Sequence, residues 1–198
     1  MTQDKQDSIF RARLSLDGLS IGDAFGEMFS YRPLALRSQF EDGTLPSGPW
    51  RHTDDTEMAI VIFEMLARFG RIDADLLAMK FADRFRKDSE RGYGKGTRIL
   101  LDAILTGGDW RQLSTSAFGG QGSMGNGAAM RVAPLGAFFA DDLNLVIQEA
   151  SLSATPTHAH PEAQAGAIAV AVAAATAWQS RVFDFLKEVE MGFLNFKR

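Results

Sequence analysis

The stretch PWRHTDDTEMAIVIFEMLARFG at residues 49–70 joins two adjacent carboxylates to a long apolar run. The apolar residues of that run recur at i, i+3, i+4, i+7, i+8 and i+11, the spacing of one helix face. They are Met58, Val61, Ile62, Met65, Leu66 and Phe69. Asp54, three residues before Glu57, predicts a capping-box start, and Gly70 predicts a left-handed end. The stretch therefore predicts a helix with Asp54 and Asp55 at its N-terminus.

Two interpretations of this acidic pair are open. Aspartates are favoured at helix N-termini by the macrodipole and as caps, and caps are far commoner than functional sites. Here, however, Thr53 and Thr56 add a hydroxyl oxygen on each side of Asp54 and Asp55. Four clustered hard-oxygen side chains suit a magnesium-type ion, so this pair is the candidate centre of the chemistry.

The composition limits the functional classes. A chain of 198 residues, 45% hydrophobic and 23% charged, is long enough for one sizeable core and typical of a globular protein. The net charge of -4 gives no electrostatic case for nucleic-acid binding. There is no cysteine for a disulfide or a thiolate metal site. The start MTQDKQDS is not a signal peptide, and the apolar residues 163–178 are fewer than the ~20 of a membrane span. We expect a cytoplasmic protein with no membrane partner.

The remaining segments also favour helices. Apolar residues at helical spacing predict a first helix over 8–29, in which three glycines recur every four residues at Gly18, Gly22 and Gly26. Close approach of another helix is the favoured reason, and the alternative is that they place Asp23 beside a functional contact. Asp73 predicts the cap of a helix with a solvated outer face, and further helices are predicted after 141–142 and over 163–178. No segment is a convincing strand, so the fold class is all-α.

Two glycine-rich segments resemble nucleotide motifs only superficially. Residues 91–97 lack the P-loop spacing, and the G-x-G-x-x-G match at 120–125 follows no strand. Gly125, Asn126 and Gly127 precede an apolar run at 128–139 that predicts a helix, so they either receive a phosphate or simply make the turn. His158 and His160 lie in the turn before the last alanine-rich helix. They could bind a metal, contact a ligand or cap a helix, and capping is favoured.

Four separated blocks together resemble the ADP-ribosylglycohydrolase family, which includes the activating glycohydrolase of dinitrogenase reductase. They are GLSIGDAFGEMF (18–29), WRHTDDTEMA (50–59), GSMGNGAAMRVAPLG (122–136) and THAHPEAQAGA (157–167), in the family's order. The resemblance implies a single domain over 1–198, folded as a compact orthogonal helical bundle. It also implies a pair of Mg²⁺ or Mn²⁺ ions and hydrolysis of the bond from ADP-ribose C1″ to a protein or small molecule.

By the same resemblance, Thr53, Asp54 and Asp55 match metal ligands, and Asp54 and Asp55 are the expected catalytic residues. Gly125, Asn126 and Gly127 match the loop that receives the ADP-ribose phosphates. His158 matches a substrate-binding histidine.

Two departures from the family pattern qualify these expectations. Many members carry a glutamate seven residues after the aspartate of the first block, where this chain has Ser30, although Glu27 lies one turn earlier. The family's second aspartate-rich metal block has no counterpart after His160, which predicts a C-terminally truncated member with weak or lost activity. The alternative is a non-catalytic ADP-ribose-binding or structural, crystallin-like relative.

The end of the chain predicts an atypical amphipathic helix over 181–198. Its apolar stripe must be covered, either by folding back on the core or by a second copy. A homodimer through this helix is favoured over a monomer.

Overall fold

The computed structural model describes residues 3–31, 41–44 and 47–180. This part of the chain contains eight α-helices, one 3₁₀ turn and no strand, which confirms the all-α prediction. The helices are α1 (Gln3–Tyr31), α2 (Asp54–Phe69), α3 (Ala74–Lys87), α4 (Lys95–Leu105), α5 (Trp110–Gly120), α6 (Ala133–Phe138), α7 (Leu143–Ala154) and α8 (Pro161–Gln179), with the 3₁₀ turn Asn126–Ala128 between α5 and α6. Their buried apolar side chains join in one hydrophobic core.

Helix α2 lies in the core and carries the acidic pair at its first turn. The predicted inner face is buried from Met58 to Leu66, whereas Phe69 is exposed, and Gly70 ends the helix at φ 71°. The predicted capping box at Asp54 is wrong. Thr53 is the N-cap, and its hydroxyl accepts the N–H of Asp55. Asp54 and Asp55 are therefore the first two helical residues, with side chains free of the capping role.

Helix α1 is longer than the predicted 8–29 segment, and it packs through a different face. Helix α1 packs against α2 and α6, and its buried apolar residues are Ala12, Leu16 and Ala24, while Phe10 and Ile21 are exposed. Arg11 is buried and donates to the carbonyls of Ala137 and Phe138, which ties α1 to the C-terminal end of α6.

The predicted helix over 128–139 is wrong in its first half. The chain forms the 3₁₀ turn Asn126–Ala128, then α6 from Ala133 with Pro134 in its first turn. A proline is tolerated in the first turn of a helix but not in its interior, which explains where α6 begins. Gly136 of α6 lies directly against the backbone carbonyl of Ala171 in α8. The two helices could not approach this closely with any larger residue there.

The other predicted caps are confirmed. Asp73 accepts the N–H of Leu76 at the start of α3, and Asp142 accepts two N–H groups at the start of α7. His160 is the N-cap of α8, where its Nδ1 accepts the N–H of Glu162 at 3.1 Å, and Pro161 is the first helical residue. The capping interpretation of the histidine pair therefore holds for His160 and not for His158.

The predicted terminal helix 181–198, and with it the predicted dimer contact, lies outside the described residues. Within the part of the chain that is described, no helix has the length and apolarity needed to cross a bilayer.

Candidate active site

Asp23 of α1 holds the N-terminus of α2. Its carboxylate accepts the backbone N–H groups of Thr53 (2.8 Å) and Thr56 (3.2 Å). It also accepts both hydroxyl groups, from Thr53 Oγ1 at 2.7 Å and Thr56 Oγ1 at 2.6 Å. The threonines that flank the acidic pair are thus oriented by a third carboxylate, which accepts four hydrogen bonds from one helix start.

The two carboxylates at the start of α2 repel each other. Burial, followed by the charges of Asp55 and Asp23, raises the pKa of Asp54 to about 6. Burial also raises the pKa of Asp55, and the charges of Asp23 and Glu27 add to the effect. Negative charge at a partly buried site destabilises the folded chain unless a cation neutralises it.

An open cleft of about 490 Å³ lies beside this pair, within the size range of small-molecule sites. Its lining comes from α1 and from the start of α2: Leu19, Gly22, Asp23, Gly26, Glu27, Ser30, Thr53 and Asp55. The prediction that Gly18, Gly22 and Gly26 mark close helix contact is wrong, because an added Cβ at any of them would meet no atom of the described residues within 4 Å. Two of these glycines instead keep the cleft open.

The loop between α3 and α4 forms the wall behind Asp54. The Asp54 N–H donates to the carbonyl of Arg91 at 2.6 Å. Gly92 has a φ of +89°, and a Cβ there would lie 3.5 Å from Asp54 Oδ1. The left-handed backbone at this position lets the loop pass close to the carboxylate.

The glycine loop, residues 122–127, packs against the turn before α8. His158 is buried, and its Nδ1 lies 2.7 Å from Thr157 Oγ1. A Cβ at Gly127 would lie 2.5 Å from His158 Cε1, and one at Gly122 would lie 2.7 Å from the backbone nitrogen of His160. Glycine is therefore required at both positions by packing against this turn.

Arg131 is a buried cation close enough to affect the charge of Asp54, and it hydrogen-bonds to the turn before α8. Its side chain is fully buried above the ring of Phe81, with the guanidinium carbon 4.2 Å from the ring centroid. It donates to Thr157 Oγ1 at 2.9 Å, the hydroxyl that also contacts His158. Burial lowers the pKa of Arg131 to about 9, and the charge of Asp54 counteracts that shift, so the guanidinium stays protonated at neutral pH. A buried cation thus acts on Asp54 through its charge and hydrogen-bonds to the residue next to His158.

A family model for ADP-ribosylglycohydrolase matches residues 3–192. The chain belongs to the ADP-ribosylglycohydrolase family. The ADP-ribosylhydrolase ARH3 of Danio rerio is 33% identical over 138 residues, 65% of this chain and 37% of that protein. The ARH3 of Bos taurus is 32% identical over 140 residues, 64% and 38% of the two chains, and the Escherichia coli protein YegU is 32% identical over 162 residues, 72% and 46%. The chain spans less than half the length of these curated relatives.

The Mg²⁺ or Mn²⁺ ions that the resemblance implies can be compared with the oxygen atoms present here. Thr53, Asp54 and Asp55 offer one hydroxyl and two carboxylates at one helix start, and a cation there would offset the burial and the neighbouring negative charges that raise the pKa of both aspartates. No cluster of three or more His, Cys, Asp or Glu side chains suited to a metal occurs in residues 3–31, 41–44 and 47–180. Mg²⁺ often keeps several waters and binds through one or two carboxylates, so these three residues fit part of its coordination shell.

The roles of several residues in this region could not be predicted from the sequence. The sequence predicts a solvated outer face for α3, yet the guanidinium of Arg84 in that helix pairs with the buried carboxylate of Glu57. Arg131 carried one signal, a single cation within an otherwise apolar run at 128–140. Tyr93 is buried, and its hydroxyl has no hydrogen-bond partner in the described part of the chain. Burial, with the charges of Glu57 and Asp54, raises the pKa of Tyr93.

The buried imidazole of His158 predicts acid sensitivity. Burial, with the nearby charge of Arg131, lowers the pKa of His158 from 6.5 to about 3. Its contribution to stability is complete above pH 6.5 and is lost as the pH falls towards 3, because only the unfolded chain gains the proton. At pH 5 the loss is about 2 kcal/mol. Urea unfolding of the parent and of His158→Gln between pH 8 and pH 5 should show that the variant lacks this component. Equal pH slopes in the two proteins would contradict it.

Proposed function

We propose that this chain binds ADP-ribose and, with Mg²⁺ or Mn²⁺, hydrolyses the glycosidic bond that joins ADP-ribose to a protein or small molecule. The observation that carries the proposal is the position of Arg131, whose charge acts on Asp54 and whose guanidinium donates to Thr157 Oγ1, the hydroxyl that contacts His158 beside the glycine loop. The acidic pair is suited to cations, and the loop of small residues is suited to phosphates. Membership of the family and similarity to ADP-ribosylhydrolases support the substrate class.

Each group of residues has a distinct role in this proposal. Thr53, Asp54 and Asp55 would hold the cation, which would supply the positive charge that orients the ribose hydroxyls. The carboxylates of Asp54 and Asp55 also stabilise the positive charge that develops at C1″ as the bond breaks. Exposed Gly125 and Asn126 allow the phosphates to approach the backbone.

His158 contributes as a neutral group, since burial keeps its pKa far below neutrality. At neutral pH its imidazole has one nitrogen that donates and one that accepts, and Nδ1 is engaged with Thr157. The ring fills the space beneath Gly125 and Gly127 and so sets the shape of the loop. Its proposed role is to position the loop that receives the phosphates.

We propose weak hydrolysis by this chain alone, because one hydroxyl and two carboxylates supply only part of an octahedral shell. The alternative is an ADP-ribose-binding protein without catalysis, which the same region would support. Release of ADP-ribose from ADP-ribosylated arginine and from modified protein, with MgCl₂ or with EDTA, distinguishes the two. Mg²⁺-dependent release supports hydrolysis; calorimetric ADP-ribose binding without release supports the alternative; no binding overturns both.

The open cleft supplies a matched test. Gly26→Ala should stabilise α1 by about 0.5–1 kcal/mol, since alanine favours the helical conformation and no atom of the described residues lies within 4 Å of the added Cβ. The same methyl group narrows the cleft, and ADP-ribose affinity should fall by on the order of tenfold (~1.4 kcal/mol). Gly18→Ala is the control, since Gly18 is equally open but does not line the cleft; it should be stabilised with unchanged affinity. Equal affinity in both variants would show that the ligand does not use this cleft.

A further inference from the structure

Glu57 forms a buried ionic network one turn after the acidic pair. Its carboxylate is nearly inaccessible to solvent and accepts from His52 Nε2 at 2.7 Å. The second oxygen accepts from Arg84 Nε in a short ion pair, and Arg91 Nε lies 3.8 Å from the first. This carboxylate does not line the cleft.

The partners of Glu57 belong to the two segments that enclose Asp54. His52 lies just before the Thr53 cap, and its carbonyl accepts from Arg91 Nη1 at 3.0 Å. Arg91 in turn accepts the Asp54 N–H through its own carbonyl at 2.6 Å. The next residue, Gly92, lies against the Asp54 carboxylate. Successive contacts thus connect Glu57 to His52, His52 to Arg91, and Arg91 to Asp54.

The charges of this network matter as well as its geometry. Two guanidinium groups, from Arg84 and Arg91, lie within reach of Glu57, and Arg91 is also paired with Asp88 at 2.7 Å. Both cations thus have an anionic partner away from the cleft. Without Glu57, Arg84 would lose this ion pair and Arg91 would keep only Asp88.

We propose that Glu57 is the positioning residue of the cation site, an inference that rests on the proposed function. Through His52 and Arg91 it fixes the backbone on both sides of Asp54, and it keeps two arginines engaged elsewhere. A purely structural ion pair would make a different prediction, since its removal would change stability and leave cation affinity unaltered.

The test measures Mn²⁺ affinity by calorimetry and by water-proton relaxation, with thermal unfolding of each protein in parallel. Glu57→Gln should bind Mn²⁺ about tenfold or more weakly, the effect usual for residues that orient metal ligands. His52→Ala should also weaken binding, and His52→Gln should restore most of it, because the glutamine amide can donate near the position of Nε2. Asp75→Asn is the matched control: Asp75 also pairs with an arginine and a second donor, Arg111 and Trp110, but on the exposed surface.

The outcomes separate this inference from the proposed function. Unchanged Mn²⁺ affinity in both Glu57→Gln and His52→Ala, with binding by the parent chain, overturns the inference alone. Absence of Mn²⁺ binding by the parent chain overturns the cation site and the inference together. If Glu57→Gln does not fold, the His52→Ala and His52→Gln pair decides, because His52 is partly exposed and its truncation leaves the core intact.

Discussion

Asp54→Asn is expected to abolish Mg²⁺ and Mn²⁺ binding by this chain and, at the same time, to stabilise the cation-free fold. Asparagine keeps the shape of the side chain but removes one of the two negative charges at the start of α2. Without that charge, the cation loses its main attraction, and affinity should fall at least 100-fold, at the upper end of what loss of a single interaction near a metal costs. Titration calorimetry with MnCl₂ measures this directly.

The stability gain follows from the direction of the pKa shift. The pKa of Asp54 is about 6 in the folded chain against 3.8 as its ordinary value, so ionisation opposes folding. The penalty is complete above pH 6 and disappears as the pH falls towards 3.8. Because the group is partly solvated, the gain at pH 7.5 should be about 1–2 kcal/mol, less than the full shift would give.

Urea unfolding at pH 7.5 and pH 4.5, without added cation, compares Asp54→Asn with the exposed control Asp102→Asn. Asp54→Asn should exceed the parent in stability only at the higher pH, and Asp102→Asn at neither. A destabilised Asp54→Asn protein that still binds Mn²⁺ as the parent does would assign Asp54 to the fold instead of the site.

The features that sequence predicts correctly are those set by neighbours along the chain. The apolar spacing of 58–66, the left-handed Gly70 and the caps at Asp73 and Asp142 each depend on fewer than a dozen consecutive residues. The position of Asp54 and Asp55 at a helix start follows from the same local rules. The identity of the cap does not, because Thr53 and Asp54 are both good caps and Asp23, thirty residues away, selects between them by binding Thr53.

The features that sequence misses depend on contacts between distant segments. In the sequence Arg131 is only an isolated charge, because its partners Ser153 and Thr157 lie 22 and 26 residues further along the chain. The glycines of α1 have the spacing of a helix contact, and only the position of α2 shows that Gly22 and Gly26 border a cleft. Arg84 has helical neighbours typical of a solvated face, and its pairing with Glu57 requires the crossing of α2 and α3.

Gly127→Val is expected to have the second-largest effect, and its cause is the ring of His158. A Cβ at Gly127 would lie 2.5 Å from Cε1 and 2.8 Å from Nε2 of that ring. The ring cannot easily move, because it is buried and its Nδ1 is engaged with Thr157, which also binds Arg131. We expect a loss of about 2–3 kcal/mol in unfolding free energy, typical of an overpacked interior, and a loss of measurable ADP-ribose binding.

A double variant identifies the ring as the cause. Gly125→Ala is the mild control, since its Cβ would contact His158 Nε2 at an ordinary 3.4 Å, and it should retain most of its stability. Gly127→Ala should be destabilising in the parent but nearly neutral in a His158→Ala background, because removal of the ring leaves room for the methyl group. Unfolding free energies of the two single variants and the double variant measure that coupling. If the two losses simply add, the glycine is required by something other than His158, and the loop and the histidine do not act as one unit.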